Sequence, residues 1–207
     1  MRILLSCESS GRCREAFRAM GHDAWSCDIL PADDGSPYHY QCDVRQIMLG
    51  QQWDMMVAFP PCTYLSVSGM HRTTRGLRPA SLTEDALDFV RLHMDSGIPL
   101  WAIENPVGII STRIRKPDQI IQPYEFGEDA SKKTCLWLHG LPKLVSTKRI
   151  PGRLVTLPSG KVVERWANQT DSGQNRLTPS ENRAKIRSAT YQGIALAMAQ
   201  QWGTLKP

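Results

Sequence analysis

The order of short apolar runs along this chain restricts its fold more than any other feature. Each run has the length and composition of a buried strand, and Gly, Pro or polar residues follow it. Five such strands are predicted: Arg2–Ser6, Ala24–Cys27, Trp53–Phe59, Ile98–Ile103 and Thr134–Leu138. At this length, 207 residues, the strands fit one domain of ordinary size.

Helical segments are predicted between the strands. The first covers Arg12–Met20 and ends at Gly21. The second begins at Ser81, which forms a capping-box signature with Glu84, and ends at Gly97. Strands that alternate with helices predict an α/β fold with an open, mostly parallel sheet.

Polar clusters stand at the carboxyl ends of the first four predicted strands. In chain order they are Ser6-Cys7-Glu8, Asp28, Pro60-Pro61-Cys62 and Glu104-Asn105-Pro106. Ligands of such sheets bind at this edge, so one crevice is expected to hold all four clusters.

The positive charge of the chain belongs to one segment. Between His139 and Arg187 there are ten basic and three acidic residues, whereas residues 1–138 carry a net charge of −3. Leu154–Leu157 and Lys161–Trp166, separated by Pro158-Ser159-Gly160, predict a β-hairpin in this segment. The predicted organisation is an α/β core over 1–138, a small basic insert over 139–180 and a C-terminal helix over 181–207 that returns to the core. A polyanion such as nucleic acid is the natural partner of the insert, and a solvated face without a partner is the alternative.

Several other classes of protein are excluded. No apolar run is long enough to span a bilayer, and the N-terminus lacks the features of a signal peptide, so a cytoplasmic, intracellular protein is expected. The six cysteines are dispersed without C-x-x-C pairs, which indicates reduced thiols, no disulfide framework and no metal site.

Two residues at the predicted edge carry chemistry. Two prolines stiffen the turn that presents Cys62, where a thiol can act as a nucleophile; the alternative is a small buried thiol. Glu104 emerges from an apolar strand, and burial would raise its pKa so that it holds a proton near neutrality. The alternative for Glu104 is a hydrogen-bonded residue at a strand end.

Together these motifs resemble those of the DNA cytosine-5 methyltransferases. Pro60-Pro61-Cys62 with Ser66 is similar to the Pro-Pro-Cys motif, and Glu104-Asn105 to the Glu-Asn-Val motif. The other matches follow in the family's order: residues 6–11 at the first motif, Asp28 at the second strand, Cys42-Asp43-Val44, and Tyr191-Gln192-Gly193-Ile194-Ala195 at the last motif. The first motif is poor in glycine, Pro106 replaces the valine, and the large target-recognition domain is missing. The chain therefore resembles a short form of this family.

The resemblance implies a Rossmann-like fold of the S-adenosylmethionine-dependent methyltransferase type with a small basic β-hairpin insert. It implies that Cys62 adds to cytosine carbon 6, that Glu104 pairs with the base, and that Lys133, Lys132 or an arginine is the nearby cation. It also implies transfer of a methyl or modified methyl group from S-adenosylmethionine, or a close analogue, to carbon 5 of cytosine in DNA. The implied cofactor-binding residues are Cys7, Glu8, Ser9, Ser10, Gly11, Asp28, Ile29, Asp43, Val44, Pro60, Gly193, Ile194 and Ala195.

Contacts with DNA are predicted for two segments. Residues 66–78 form a mobile basic loop after Cys62 that could close over a flipped base, although a solvated loop is equally open. The candidates for contact in the two segments are Ser66, Arg72, Arg75, Arg153, Lys161 and Arg165. Two other functions stay open: a non-catalytic nucleic-acid-binding relative, and the same chemistry on a cytosine mononucleotide or RNA.

Overall fold

A computed structural model describes residues 1–178 and 188–205 of the chain. Its strands are β1 Arg2–Ser6, β2 Asp23–Asp28, β3 His39–Gln41, β4 Met55–Ala58, β5 Leu100–Pro106, β6 Gln119–Ile121, β7 Thr134–His139, β8 Arg153–Thr156 and β9 Val162–Arg165. Its helices are α1 Arg12–Ala19, α2 Arg45–Met48, α3 Val67–Thr74, α4 Ser81–Met94, α5 Ile110–Arg113 and α6 Gln192–Trp202.

Seven strands form one sheet in the order β3-β2-β1-β4-β5-β7-β6. The neighbours from β3 to β5 pair in parallel, whereas β7 is antiparallel to both β5 and β6. This is the predicted open, mostly parallel sheet of a Rossmann-like fold. The predicted hairpin is also present, as β8 and β9.

Helices cover both faces of the sheet. Phe17 of α1 and Trp202 of α6 are fully buried against one face, and Leu87 and Val90 of α4 are fully buried against the other. Because both faces are covered, β1 and β4 read as continuous apolar runs rather than as alternating ones. Because helices cover both faces, a ligand can reach the sheet at its edges and at the ends of its strands.

Two local predictions were wrong. The predicted loop after Cys62 contains helix α3, because the Ser66 hydroxyl accepts a hydrogen bond from the Gly69 N–H at 3.2 Å and so caps the helix. The predicted capping box of α4 is absent: Ser81 is already helical, and the Glu84 carboxylate instead pairs with Arg113 at 3.0 Å.

The predicted division of the C-terminal part of the chain stays a prediction. Residues 179–187 lie outside the described residues, and with them the predicted boundary between 180 and 181. Beyond them α6 runs from Gln192 to Trp202. In the described residues, no helix has the length and apolar character needed to cross a membrane.

Candidate active site

The predicted polar clusters converge at one edge of the sheet. The register places Ser6 of β1 beside Cys27 and Ala58, and Ala58 of β4 beside Ile103, so these parallel strands end at the same level. Strand β7 runs the other way and begins at this edge, with Thr134 opposite Pro106. The loop before β7 therefore joins the same crevice, which the strand pattern alone does not show.

Glu8 caps the first helix. Its side chain is only 4% exposed, and its carboxylate accepts hydrogen bonds from the Cys13 N–H at 2.8 Å and from the Ser10 hydroxyl at 3.1 Å. Burial raises the pKa of Glu8, and these hydrogen bonds partly offset that rise. The N-terminus of α1, where many nucleotide-binding proteins hold a phosphate, is therefore closed by a carboxylate of the chain itself.

Arg14 is a residue that the sequence analysis missed. Its side chain is fully buried, donates to the Ser26 hydroxyl at 2.7 Å and forms an ion pair with Asp34. Gly11 has a φ of 72°, and a Cβ there would meet this ion pair, which explains the glycine. Arg14 thus fixes the loop after β2 to the start of α1. The sequence feature that could have indicated this role is a basic residue between Cys13 and Phe17, on the apolar face of the helix.

Two predicted cofactor acids lie near Cys7. The Asp28 carboxylate accepts from the Leu30 N–H at 2.9 Å, and Asp43 forms an ion pair with Arg45 at 2.8 Å. Burial first, and then the charges of both acids, raise the pKa of the Cys7 thiol to about 12. The ends of β1, β2 and β3 therefore form one acidic sub-site, beside which Ile29 is 73% exposed.

The loop that carries Cys62 is clamped to the strand that carries Glu104. The buried Asn105 side chain donates from Nδ2 to the Pro60 carbonyl oxygen at 2.7 Å. Cys62 then begins a short 3₁₀ helix, Cys62–Tyr64, and is itself half-buried. The residue after Glu104 thus positions the turn that presents the thiol.

A second clamp joins the same two loops further along. The Ile109 N–H donates to the Leu65 carbonyl oxygen at 2.8 Å, and Ser66 pairs with Gly108 in an isolated bridge. A Cβ on Gly108 would collide with the Leu65 carbonyl, so only glycine permits this approach. The two clamps fix the Cys62 loop relative to Glu104.

Glu104 combines burial with a neighbouring positive charge. Burial raises the pKa of its carboxyl group, and the charge of Lys132 and the Thr134 hydroxyl partly offset the rise. Lys133, which the sequence analysis favoured, is exposed. Lys132 is therefore the cation with the clearer influence on this carboxyl group.

The C-terminal motif packs beside this site. Ile194 and Ala195, predicted to bind the cofactor, are buried in the core, while the Gly193 N–H donates to the Glu128 carboxylate at 2.9 Å. The residues just before the helix face the edge: Arg12 donates to the Thr190 carbonyl at 2.8 Å. Val44 and Pro60, two other predicted cofactor residues, are buried as well.

The predicted DNA contacts differ in their surroundings. Arg72 and Arg75 are exposed on and just after α3, whereas Ser66 is buried as the cap of that helix. Lys161 is exposed at the start of the hairpin's second arm. Arg153 instead forms an ion pair with Asp171 at 2.6 Å.

The hairpin segment is attached next to Lys132. Trp166 stacks on Tyr124 with ring centroids 3.9 Å apart, and Asn168 exchanges two hydrogen bonds with the Ser131 backbone at 3.0 and 2.9 Å. The part of the basic segment that follows β9 is therefore anchored to the loop before β7, next to Lys132. Within residues 1–178 and 188–205, no group of three or more His, Cys, Asp or Glu side chains could hold a metal ion.

Comparisons with known proteins add little to this geometry. No protein-family model matches the chain. No curated protein matches it either. Among solved structures, the chain is similar to a candidate DNA modification methyltransferase encoded within a prophage (E. coli), with 17% identity and a TM-score of 0.47. The match covers 66% of this chain and 45% of that one, so the chain spans less than half the length of that protein.

Proposed function

We propose that this protein transfers a methyl or modified methyl group from S-adenosylmethionine, or a close analogue, to carbon 5 of cytosine in DNA through a covalent Cys62 adduct. The observation that carries the proposal is the hydrogen bond from Asn105 to Pro60, which holds the Cys62 loop against the strand of Glu104. A nucleophile and a proton-holding carboxyl group on neighbouring strands are what the addition to a cytosine ring requires.

The acidic sub-site fits this cofactor. Asp28 and Asp43 offer carboxylate oxygens to the hydroxyl and amine donors of a nucleoside, and the exposed Ile29 offers an apolar surface to its base. The carboxylate of Glu8 fills the N-terminus of α1, which suits a cofactor without a phosphate. When bound, S-adenosylmethionine supplies an electrophilic methyl group.

Cys62 would make carbon 5 of the base reactive. Addition of its thiolate at carbon 6 places electron density on carbon 5, which is otherwise a poor nucleophile. Once carbon 5 carries the new group, the carbon-5 proton is lost to solvent, the double bond between carbons 5 and 6 re-forms, and the bond between carbon 6 and sulfur breaks to return the thiolate. A positive charge in the crevice favours the thiolate, and Lys132 or Lys133 would supply it.

Glu104 would hold a proton at the ring nitrogen. Addition at carbon 6 develops negative charge on the ring, and a carboxyl group whose pKa is raised by burial keeps its proton available there. The charge of Lys132 acts against this protonation, because it lowers the pKa of Glu104 and so offsets part of the effect of burial. The ammonium would instead offset the negative charge that develops on the ring. The base must leave the DNA stack to reach both residues.

The test is incubation of the protein with S-adenosylmethionine and duplex DNA, followed by mass spectrometry of the nucleosides. A 5-substituted deoxycytidine is expected from the unaltered protein and from Cys42→Ala, a matched control at another half-buried thiol. Cys62→Ala should lose the product by at least about a hundredfold. Cofactor binding without product would refute DNA cytosine as the substrate. Loss of both would favour the non-catalytic nucleic-acid-binding alternative.

A further inference from the structure

The hairpin β8–β9 has two faces with different surroundings. Residues that stand opposite each other in an antiparallel pair point to the same face. The register therefore assigns four residues to an inner face and four to an outer face. The inner face holds Arg153, Val155, Val163 and Arg165; the outer face holds Leu154, Thr156, Val162 and Glu164.

The loop 169–173 covers the inner face. Arg153 donates to the Gln169 carbonyl at 3.2 Å and pairs with Asp171, and Arg165 donates from Nε to the Asp171 carbonyl at 3.0 Å. A Cβ on Gly173 would lie 3.2 Å from the Arg165 guanidinium, so the loop backbone packs directly on this side chain. These two arginines, which sequence reasoning assigned to DNA, are already used to hold the loop on the hairpin.

The outer face is open. Leu154 is 74% and Val162 is 55% exposed, and Thr156 between them is exposed as well. Glu164 at the base has partners in the described part of the chain, an ion pair with Arg149 and a hydrogen bond from the Gly152 N–H at 3.1 Å. A two-stranded hairpin that leaves branched apolar side chains in water gains nothing for its own stability from them.

We propose that the outer face of this hairpin, together with Lys161 at its turn, reads the sequence of duplex DNA from the major groove. This inference rests on DNA as the partner in the proposed function, but not on the chemistry of Cys62. A major groove about 12 Å wide admits a two-stranded ribbon, and arms of four residues extend about 13 Å, enough to reach its floor.

Charge favours DNA as the occupant over a second protein surface. Residues 139–178 hold seven basic and two acidic residues, and both acids are engaged by arginines, Glu164 by Arg149 and Asp171 by Arg153. The surplus positive charge belongs to the same segment as the apolar face, and Lys161, exposed at the turn of the hairpin, can meet a phosphate. Within the groove, Leu154 and Val162 can contact thymine methyl groups, and the Thr156 hydroxyl can bond to base edges.

The test is a binding selection from a pool of duplexes with randomised sequence, using the full chain. The unaltered protein should enrich a short motif. In the double variant Leu154→Ser and Val162→Ser, the ratio of the affinity for that motif to the affinity for random DNA should fall by at least about tenfold. The affinity for random DNA itself should change little. The matched control is Leu49→Ser, at an exposed leucine after α2, which should keep the motif. Thermal unfolding checks that all variants fold.

Each other outcome overturns the inference. If the unaltered protein enriches no motif, or if the double variant enriches the same one, the outer face does not read sequence. If sedimentation shows a dimer that the double variant disperses, the face binds a second copy instead. Nucleoside mass spectrometry on the same samples distinguishes failure of this inference from failure of the proposed function. An enriched motif without modified cytosine refutes the proposed cytosine chemistry alone. Modified cytosine without an enriched motif refutes sequence recognition by the hairpin alone.

Discussion

Glu8 follows β1 and Glu104 lies near the end of β5, at the same edge of the sheet, and burial raises the pKa of both. Their partners differ. The carboxylate of Glu8 accepts from the backbone of α1, whereas Glu104 is influenced by a lysine and a hydroxyl group that themselves border the crevice. The Cys13 N–H belongs to the backbone of α1 and stays in place whether or not a ligand is bound, so Glu8 has a structural role. Glu104 is instead influenced by the side chains of Lys132 and Thr134, and the reactive role proposed for it depends on this difference.

The largest expected effect is the loss of activity in Glu104→Gln. The amide cannot exchange a proton with the ring nitrogen, so cytosine modification should fall by at least about a hundredfold. Affinity for S-adenosylmethionine, measured by calorimetry, should change little. Glu15→Gln, at an exposed carboxylate on α1, is the control. A variant as fast as the unaltered protein would mean that Glu104, like Glu8, has only a structural role.

Glu8→Ala should act on stability instead. The change leaves the buried N–H of Cys13 without its acceptor, which costs about 1–3 kcal/mol in the free energy of unfolding. Urea titration measures this loss. Glu84→Ala, which removes an exposed ion pair with Arg113, should cost less than about 1 kcal/mol. Equal losses in the two variants would show that the cap contributes nothing beyond an ordinary surface carboxylate.

The sequence could predict where these acids stand but not how they differ. Both follow an apolar strand, and their roles depend on where the N–H groups of α1 point and on which lysine lies beside the second acid. Arg14 was missed for the same reason: its burial depends on Asp34, which lies twenty positions along the chain.

The apolar runs in the sequence predict most of the strands of the sheet, because buried parallel strands are continuous apolar runs. They could not give direction, so the antiparallel β7, which brings Lys132 to the edge, was not foreseen. The three-residue strands β3 and β6 are too short for any periodicity. Helix α3 has no buried residue, so its sequence lacks the apolar stripe that identifies a helix.

The smallest expected effect is a pH dependence of stability that belongs to Glu104. Because its pKa in the folded protein is raised above the ordinary value of 4.5, the folded state binds this proton more tightly than the unfolded state does. Its contribution to stability is therefore fully present below pH 4.5 and is lost as pH rises through the raised pKa. Glutamine resembles the protonated form and does not titrate.

Glu104→Gln should thus match the unaltered protein near pH 4 and become the more stable of the two as pH rises, with a constant difference above the raised pKa. Glu8 is present in both proteins, so its own titration cancels in the difference. Thermal unfolding of both proteins across this range measures it. A difference that stays flat would mean that the folded protein does not favour the protonated Glu104, and the carboxyl group could not then hold the proton that a cytosine ring needs.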